Sequence, residues 1–273
     1  MTTPASSTRV NGLDRALSGA RRQRRTALLG YLPVGYPTLE GSIDALVALG
    51  RVCDIVEVGV PYSDPVMDGP PIQAATQAAL RAGTRIEHVF EAVNAITTTG
   101  GTAVVMSYGA PVLRYGTTRF AADLAAAGGS GLILPDLPVE EAGPWRAAAL
   151  AHGLRTIHVA APNSDDARLS RVCGASSGFI YSPASRSTTG ARGPLDRGLA
   201  HFVARLRNIT NLPICAGVGV HNAATAATAA ALADGVIVGS AFVRLLLADP
   251  TSRGVTDVET LANEIARAIR PDA

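Results

Sequence analysis

The stretch Ile55–Asp68, IVEVGVPYSDPVMD, decides how the rest of the sequence is read. Its first half is a short apolar run broken by one carboxylate, Glu57. Along a strand alternate residues share a face, so Val56, Val58 and Val60 lie together while Ile55, Glu57 and Gly59 lie opposite them. With both faces covered, Glu57 is a carboxyl in an apolar interior. Such an acid stays protonated or finds partners, and acids shifted in this way gather at active sites, as they also do in structural ion pairs. Gly59-Val60-Pro61 then breaks the strand and opens a loop carrying two further acids, Asp64 and Asp68.

The same rhythm of apolar strand, loop and helix extends in both directions. Toward the N-terminus, residues 1–12 read as a flexible arm, Leu13–Arg22 as a helix, Ala27–Leu32 as a strand and Leu39–Leu49 as a helix. Toward the C-terminus a helix follows Pro70-Pro71, a pair suited to a helix start. Further strands read at Thr102–Met106, Gly131–Leu134, Thr156–Val159, Gly178–Tyr181, Pro213–Ala216 and Gly235–Val238, separated by helical segments. Several are β-branched runs without polar alternation, as parallel strands covered by helices require. Eight strand-helix units in 273 residues, with a closing amphipathic helix over Val258–Arg270, predict a single (β/α)8 barrel of the TIM type spanning 13–273, with extra helices at both ends. A doubly wound dinucleotide fold is disfavoured, because Gly217-Val218-Gly219 lacks the third glycine and falls in the wrong unit.

Composition narrows the function. Hydrophobic residues make up 47% and charged ones 17%, enough for a large core, and a net charge of +2 argues for neither nucleic acid nor membrane as partner. The basic run Arg21, Arg22, Arg24 and Arg25 fits a solvated first helix at least as well as an anion site. Three cysteines without CxxC spacing fit buried thiols in a reducing cytoplasm. The N-terminal MTTPASSTRV has no apolar core of a signal peptide, and the apolar runs are of strand length. The sequence contains no lysine, which excludes Schiff-base chemistry on this chain. Its five histidines are scattered and form no recognisable metal set.

In such barrels the reacting groups sit at the C-terminal ends of the strands. That rule gathers Glu57, Asp68, Tyr108, Asp136 and Tyr181 around one mouth. Gly217, Gly219 and Gly239-Ser240 follow the last two strands, where barrels commonly hold phosphate on backbone N–H groups and a helix start. The expected substrate is a phosphorylated small molecule, held at one end by these loops and acted on at the other by carboxyls.

Beyond these readings, VEVGVPYSDPVMDGPPIQ, MSYGAPVLRYG, GLILPDLPVEEA, YSPASRSTTGAR, CAGVGV and DGVIVGSAFV resemble the tryptophan synthase alpha subunits, of the actinobacterial kind, over about residues 25–245. The resemblance implies a lyase that splits indole-3-glycerol phosphate into indole and glyceraldehyde 3-phosphate by retro-aldol cleavage, in tryptophan biosynthesis. It implies Glu57 as the acid-base, Asp68 as the acceptor for the indole nitrogen and Tyr181 as assistant to Glu57. Tyr31, Met106, Tyr108 and Ile133 would line the indole pocket, and Gly190, Gly219, Gly239 and Ser240 would hold the phosphate. Thr189 would meet Asp68 when its loop closes. No cofactor is implied in this chain; pyridoxal phosphate belongs to a beta subunit, the partner expected to face Pro61 and Asp64 in an α2β2 heterotetramer. The sequence departs from the family pattern at Ser187-Thr188, where glycine and valine are usual, at Ala110 for asparagine, and at Pro71 for threonine. These changes leave open a stand-alone indole-releasing lyase, or a weakly catalytic subunit that activates its partner.

Overall fold

Residues 10–183, 197–217 and 219–270 are described by the computed structural model. Eight strands run parallel: β1 (Ala27–Pro33), β2 (Ile55–Gly59), β3 (Ala103–Met106), β4 (Gly131–Ile133), β5 (Arg155–Ile157), β6 (Ile180–Pro183), β7 (Ile214–Gly217) and β8 (Gly235–Val238). Their order, β5-β4-β3-β2-β1-β8-β7-β6, leaves β5 and β6 at the ends. The ring closes at that seam, where the Tyr181 N–H donates to the His158 carbonyl (3.2 Å) and the Ala160 N–H donates to the Tyr181 carbonyl (2.9 Å). The chain forms a (β/α)8 barrel, as the strand rhythm predicts.

The period-two pattern sorts the side chains. Leu28, Val56, Val58 and Val105 point outward into a buried layer shared with the surrounding helices. Leu29, Ile55, Val104, Ile133, Ile157 and Ile237 point inward and fill the barrel's lower half. Register sets Tyr31 beside Glu57 and Met106 beside Gly59, one layer nearer the C-terminal mouth.

Helix α1 (Gly12–Arg22) packs Leu13, Leu17 and Ala20 against that lower interior and stoppers the barrel's N-terminal end. Asn11 holds it there. Its side-chain oxygen accepts from the Leu13 N–H, and its amide donates to the carbonyls of Ser130 and Gly153, each at 2.9 Å. Asp14 adds an ion pair with Arg155. Asn11 and Gly12, the last residues of the segment read as a flexible arm, thus belong to the described fold. Of the basic run, Arg21, Arg22 and Arg24 are exposed, while Arg25 grips both carboxylate oxygens of Asp54 at 2.6 Å.

The remaining helices are α2 (Leu39–Val52), α3 (Pro70–Arg81), α4 (Ile86–Thr98), α5 (Gly109–Tyr115), α6 (Thr117–Ala126), α7 (Gly143–Ala151), α8 (Asp166–Ala175), α9 (Arg197–Arg207), α10 (Ala223–Ala230), α11 (Ser240–Ala248) and α12 (Ser252–Ala268). The sequence reading has no counterpart for α4 or α5, and it starts α12 six residues late, at Val258 rather than Ser252. Helix α4 is rich in Ile, Val and Thr and begins on Arg85, whose N–H donates to the His88 ring rather than to an ordinary capping side chain. Helix α5 is short and carries Pro111 in its first turn. Weak intrinsic preference hides both, and packing against the barrel supplies what the local sequence lacks.

Candidate active site

The C-terminal mouth holds a cavity lined by Tyr31, Glu57, Asp68, Ile72, Met106, Tyr181, Gly219, Val220, Ile237, Gly239 and Ser240. Eight of these are residues the sequence singles out. Ile72, Val220 and Ile237 are additions, apolar side chains that the strand and helix pattern marks only as core. Ile133 is fully buried in the interior, in register beside Met106, and Tyr108 stands behind the β2–α3 loop. Thr189 and Gly190, with Ser187 and Thr188, fall outside the described residues. Pro61 is buried and Asp64 exposed, both away from the cavity; Ala110 is exposed in the first turn of α5, and Pro71 sits in the first turn of α3.

Glu57 is fully enclosed, and neither of its carboxyl oxygens has a hydrogen-bond partner among the described residues. An unpartnered carboxylate there is poorly solvated, so burial pushes its pKa up to about 8. Asp68, nearer the opening, is raised by burial to about 6, with the Tyr108 hydroxyl pulling it back by hydrogen-bonding the carboxylate. Tyr108 also accepts from the Met67 N–H at 3.1 Å and stacks, tilted, on Tyr62 with ring centroids 5.2 Å apart. Gln73 fixes the loop from the helix side by donating to the Asp68 carbonyl at 2.8 Å. No arginine or histidine lines this cavity among the described residues, so nothing cationic offsets the two acids.

Tyr181 reaches its position because β7 ends in glycine. A Cβ at Gly217 would collide with the Tyr181 hydroxyl and come within 2.8 Å of the ring carbons Cε1 and Cζ. The ring therefore lies across the end of the neighbouring strand. Burial, followed by the nearby Glu57 and Asp68, raises its pKa well above the ordinary phenol value, which keeps the hydroxyl protonated.

The opposite wall is built for an anion. Helix α11 begins at the cavity on Gly239, with no side chain capping its first N–H groups, whereas neighbouring α10 is capped by Asn222 accepting from the Thr225 N–H at 2.9 Å. An uncapped helix start offers free donors and the positive end of the helix dipole. Gly219, with φ at +89°, adds a left-handed turn that a side chain would strain.

The other titratable groups do not converge. His158 is buried behind β5 and pushed down to about 4, first by desolvation and then by Arg146; His221 meets the Gly219 carbonyl at 2.8 Å. Among the described residues no three His, Cys, Asp or Glu side chains cluster as metal ligands, and no helix is long and apolar enough to cross a membrane. All three cysteines are buried thiols.

The chain as a whole has counterparts among known proteins. The family described as Tryptophan synthase alpha chain matches residues 17–270. A tryptophan synthase alpha chain of Nocardia farcinica is 51% identical over 94% of this chain and 96% of its own length. One from Streptomyces avermitilis is 48% identical over 94% of each. Among solved structures, a chain of Mycobacterium tuberculosis tryptophan synthase superposes with a TM-score of 0.90 at 46% identity, covering 97% of this chain and all of that one. A tryptophan synthase alpha subunit of Legionella pneumophila gives 0.85 at 28% identity, over 96% of this chain and 99% of its own. Near-identity of length, half the residues in common and the same barrel together mean that the chain belongs to the tryptophan synthase alpha chain family.

Proposed function

We propose that the two carboxyls divide the cleavage of indole-3-glycerol phosphate between them. The observation that carries this reading is their difference. Two acids share one cavity without a cation among its described lining residues, and near neutral pH one is protonated while the other is ionised. Asp68, as carboxylate, accepts the hydrogen bond of the indole N–H and takes up the positive charge that grows there. Glu57, as acid, gives its proton to the ring carbon that bears the side chain. The carboxylate so formed takes the proton of the adjacent hydroxyl; the carbon–carbon bond breaks, its electrons return to the ring, and indole and an aldehyde leave. Tyr181 directs Glu57. Gly219, Gly239, Ser240 and the start of α11 hold the phosphate; the roles assigned to Gly190 and Thr189 fall outside the described residues. Met106 and Tyr31 flank the indole. The scheme uses no Schiff base, in keeping with the absence of lysine, and assigns no cofactor to this chain.

The partner is a pyridoxal phosphate-bearing beta subunit in an α2β2 assembly. Two exposed apolar side chains support this. Val66 and Leu113 are 68% and 63% exposed, on the β2–α3 loop and on α5, two segments joined through Tyr108. Exposed Asp64 and Ala110 lie on the same two segments, so these carry both apolar and polar exposed side chains, the composition of a docking surface.

Indole release by the purified chain, with and without a beta subunit, tests the whole reading. Slow release that rises strongly with the partner is the expected result. Fast release alone indicates a stand-alone lyase, and no release under either condition refutes the cleavage. The rate should also trace a bell in pH. Activity falls as Asp68 gains its proton below about 6 and as Glu57 loses its proton above about 8. A flat profile between pH 5 and 9 contradicts the assignment of acid and base.

A further inference from the structure

Tyr31 carries a hydroxyl that packing alone does not require. Its ring is held by two glycines. A Cβ at Gly59 would lie 2.5 Å from the Tyr31 hydroxyl oxygen, and a Cβ at Gly239 would lie 3.0 Å from ring carbon Cδ1. The ring thus crosses from β1 over the end of β2, and its hydroxyl is delivered beside Gly59, one inward position above Glu57 and on the side where the loop to Asp68 departs. The residue lines the cavity with only 7% of its surface exposed, and among the described residues its hydroxyl makes no hydrogen bond. A phenylalanine would fill the same niche.

Several groups face this hydroxyl. After desolvation, the charge that most affects Tyr31 is Asp68, ahead of Tyr108, Glu57 and Tyr181. Asp68 is faced by Tyr108 from the β3 side and by the start of α3, where Gln73 contacts only its carbonyl; no cationic side chain lines the cavity among the described residues. When a substrate ring fills the cavity, the water that solvates an ionised Asp68 and the Tyr31 hydroxyl is displaced. Both then need a partner, and each is the complement of the other.

We propose that Tyr31 is a positioning residue for Asp68: in the substrate-filled cavity its hydroxyl donates to the Asp68 carboxylate, a second donor beside Tyr108, and keeps that acid ionised and aimed at the ring nitrogen. The inference rests on the reading of Asp68 as acceptor for the indole N–H. It separates two jobs within one side chain, with the ring shaping the pocket and the hydroxyl setting the state of the acid.

The test is Tyr31→Phe, measured as kcat and KM for indole-3-glycerol phosphate from pH 5 to 9 in the presence of the beta subunit, because the pH dependence of kcat reports the substrate complex. Loss of one donor to a carboxylate weakens its charged form by about tenfold, so the acid limb of kcat should move up by about one pH unit. Turnover near pH 6 should then fall by about fivefold and near pH 5 by almost tenfold, with a smaller loss near pH 7.5 and KM unchanged. Tyr108→Phe should shift the same limb in the same direction. An unmoved acid limb in Tyr31→Phe, or a change in KM alone, overturns the proposal and leaves Tyr31 a packing residue. Asp68→Asn distinguishes the two levels: if it retains turnover, the underlying reading of Asp68 fails; if it is inactive and the Tyr31→Phe limb is unmoved, only the present inference does.

Discussion

Glu57→Gln should lower kcat by a factor of about 10²–10⁴, the range a positioned acid-base supplies, while leaving the affinity for glycerol phosphate nearly unchanged. The reasoning is geometric. Glu57 sits on the floor of the cavity at the end of β2, whereas the glycine loops and the start of α11 that receive the phosphate lie on the wall formed after β7 and β8. Glutamine keeps the shape and fills the same enclosed site, but it can neither give a proton to carbon nor receive one from a hydroxyl. A group used only in the transition state affects kcat before binding. Steady-state kinetics with calorimetric binding of glycerol phosphate decide the matter. An equal loss of both would make Glu57 a structural carboxyl.

The same substitution should make the protein more stable above neutral pH. Folding raises the pKa of Glu57 from 4.5 to about 8, so the folded state holds a proton that the unfolded chain has already released. The sign follows from linkage. The relative stabilisation from this group is complete below pH 4.5 and is lost as pH rises through 8, so the unfolding free energy of the native protein declines across that window. The full span amounts to about 5 kcal/mol, and a gain of roughly half that in Glu57→Gln at pH 8 is a realistic expectation once local relaxation is included. Urea unfolding at pH 5 and pH 8 measures it. The two proteins should be alike at the lower pH and diverge at the higher one; parallel curves would mean that the carboxyl is solvated in the folded state. An inactive variant that outlasts its parent is the usual mark of a group placed for chemistry instead of for stability.

How far the sequence alone leads is best seen in particular residues. Glu57 is legible because a strand has period two: once Val56 and Val58 face the helices, the acid between them must face inward, and it does. The glycines at 219 and 239 are legible because the barrel places the ends of its last two strands beside each other. Helices α4 and α5 are not, since neither has a strong start or favourable composition. Tyr108 illustrates a different limit. Its position at the end of β3 places it near the mouth, but only the folded β2–α3 loop reveals that its hydroxyl is taken up by Met67 and Asp68 and that it braces an acid from outside the cavity. Ile133 likewise has the right strand and the right face, and the register with β3 sets it beside cavity-lining Met106. Distances along one strand follow from its residues; distances between strands follow from the shear of the whole barrel.

Helix α1, tied under the barrel by Asn11, leaves the vessel with a floor. Among the described residues the reaction chamber therefore has a single doorway, and the substrate's way in is also the products' way out. That doorway is edged by the β2–α3 loop, which carries cavity-lining Asp68 and the exposed Val66. Whatever docks on that loop sits beside the way out, and among the described residues no rear exit competes with it.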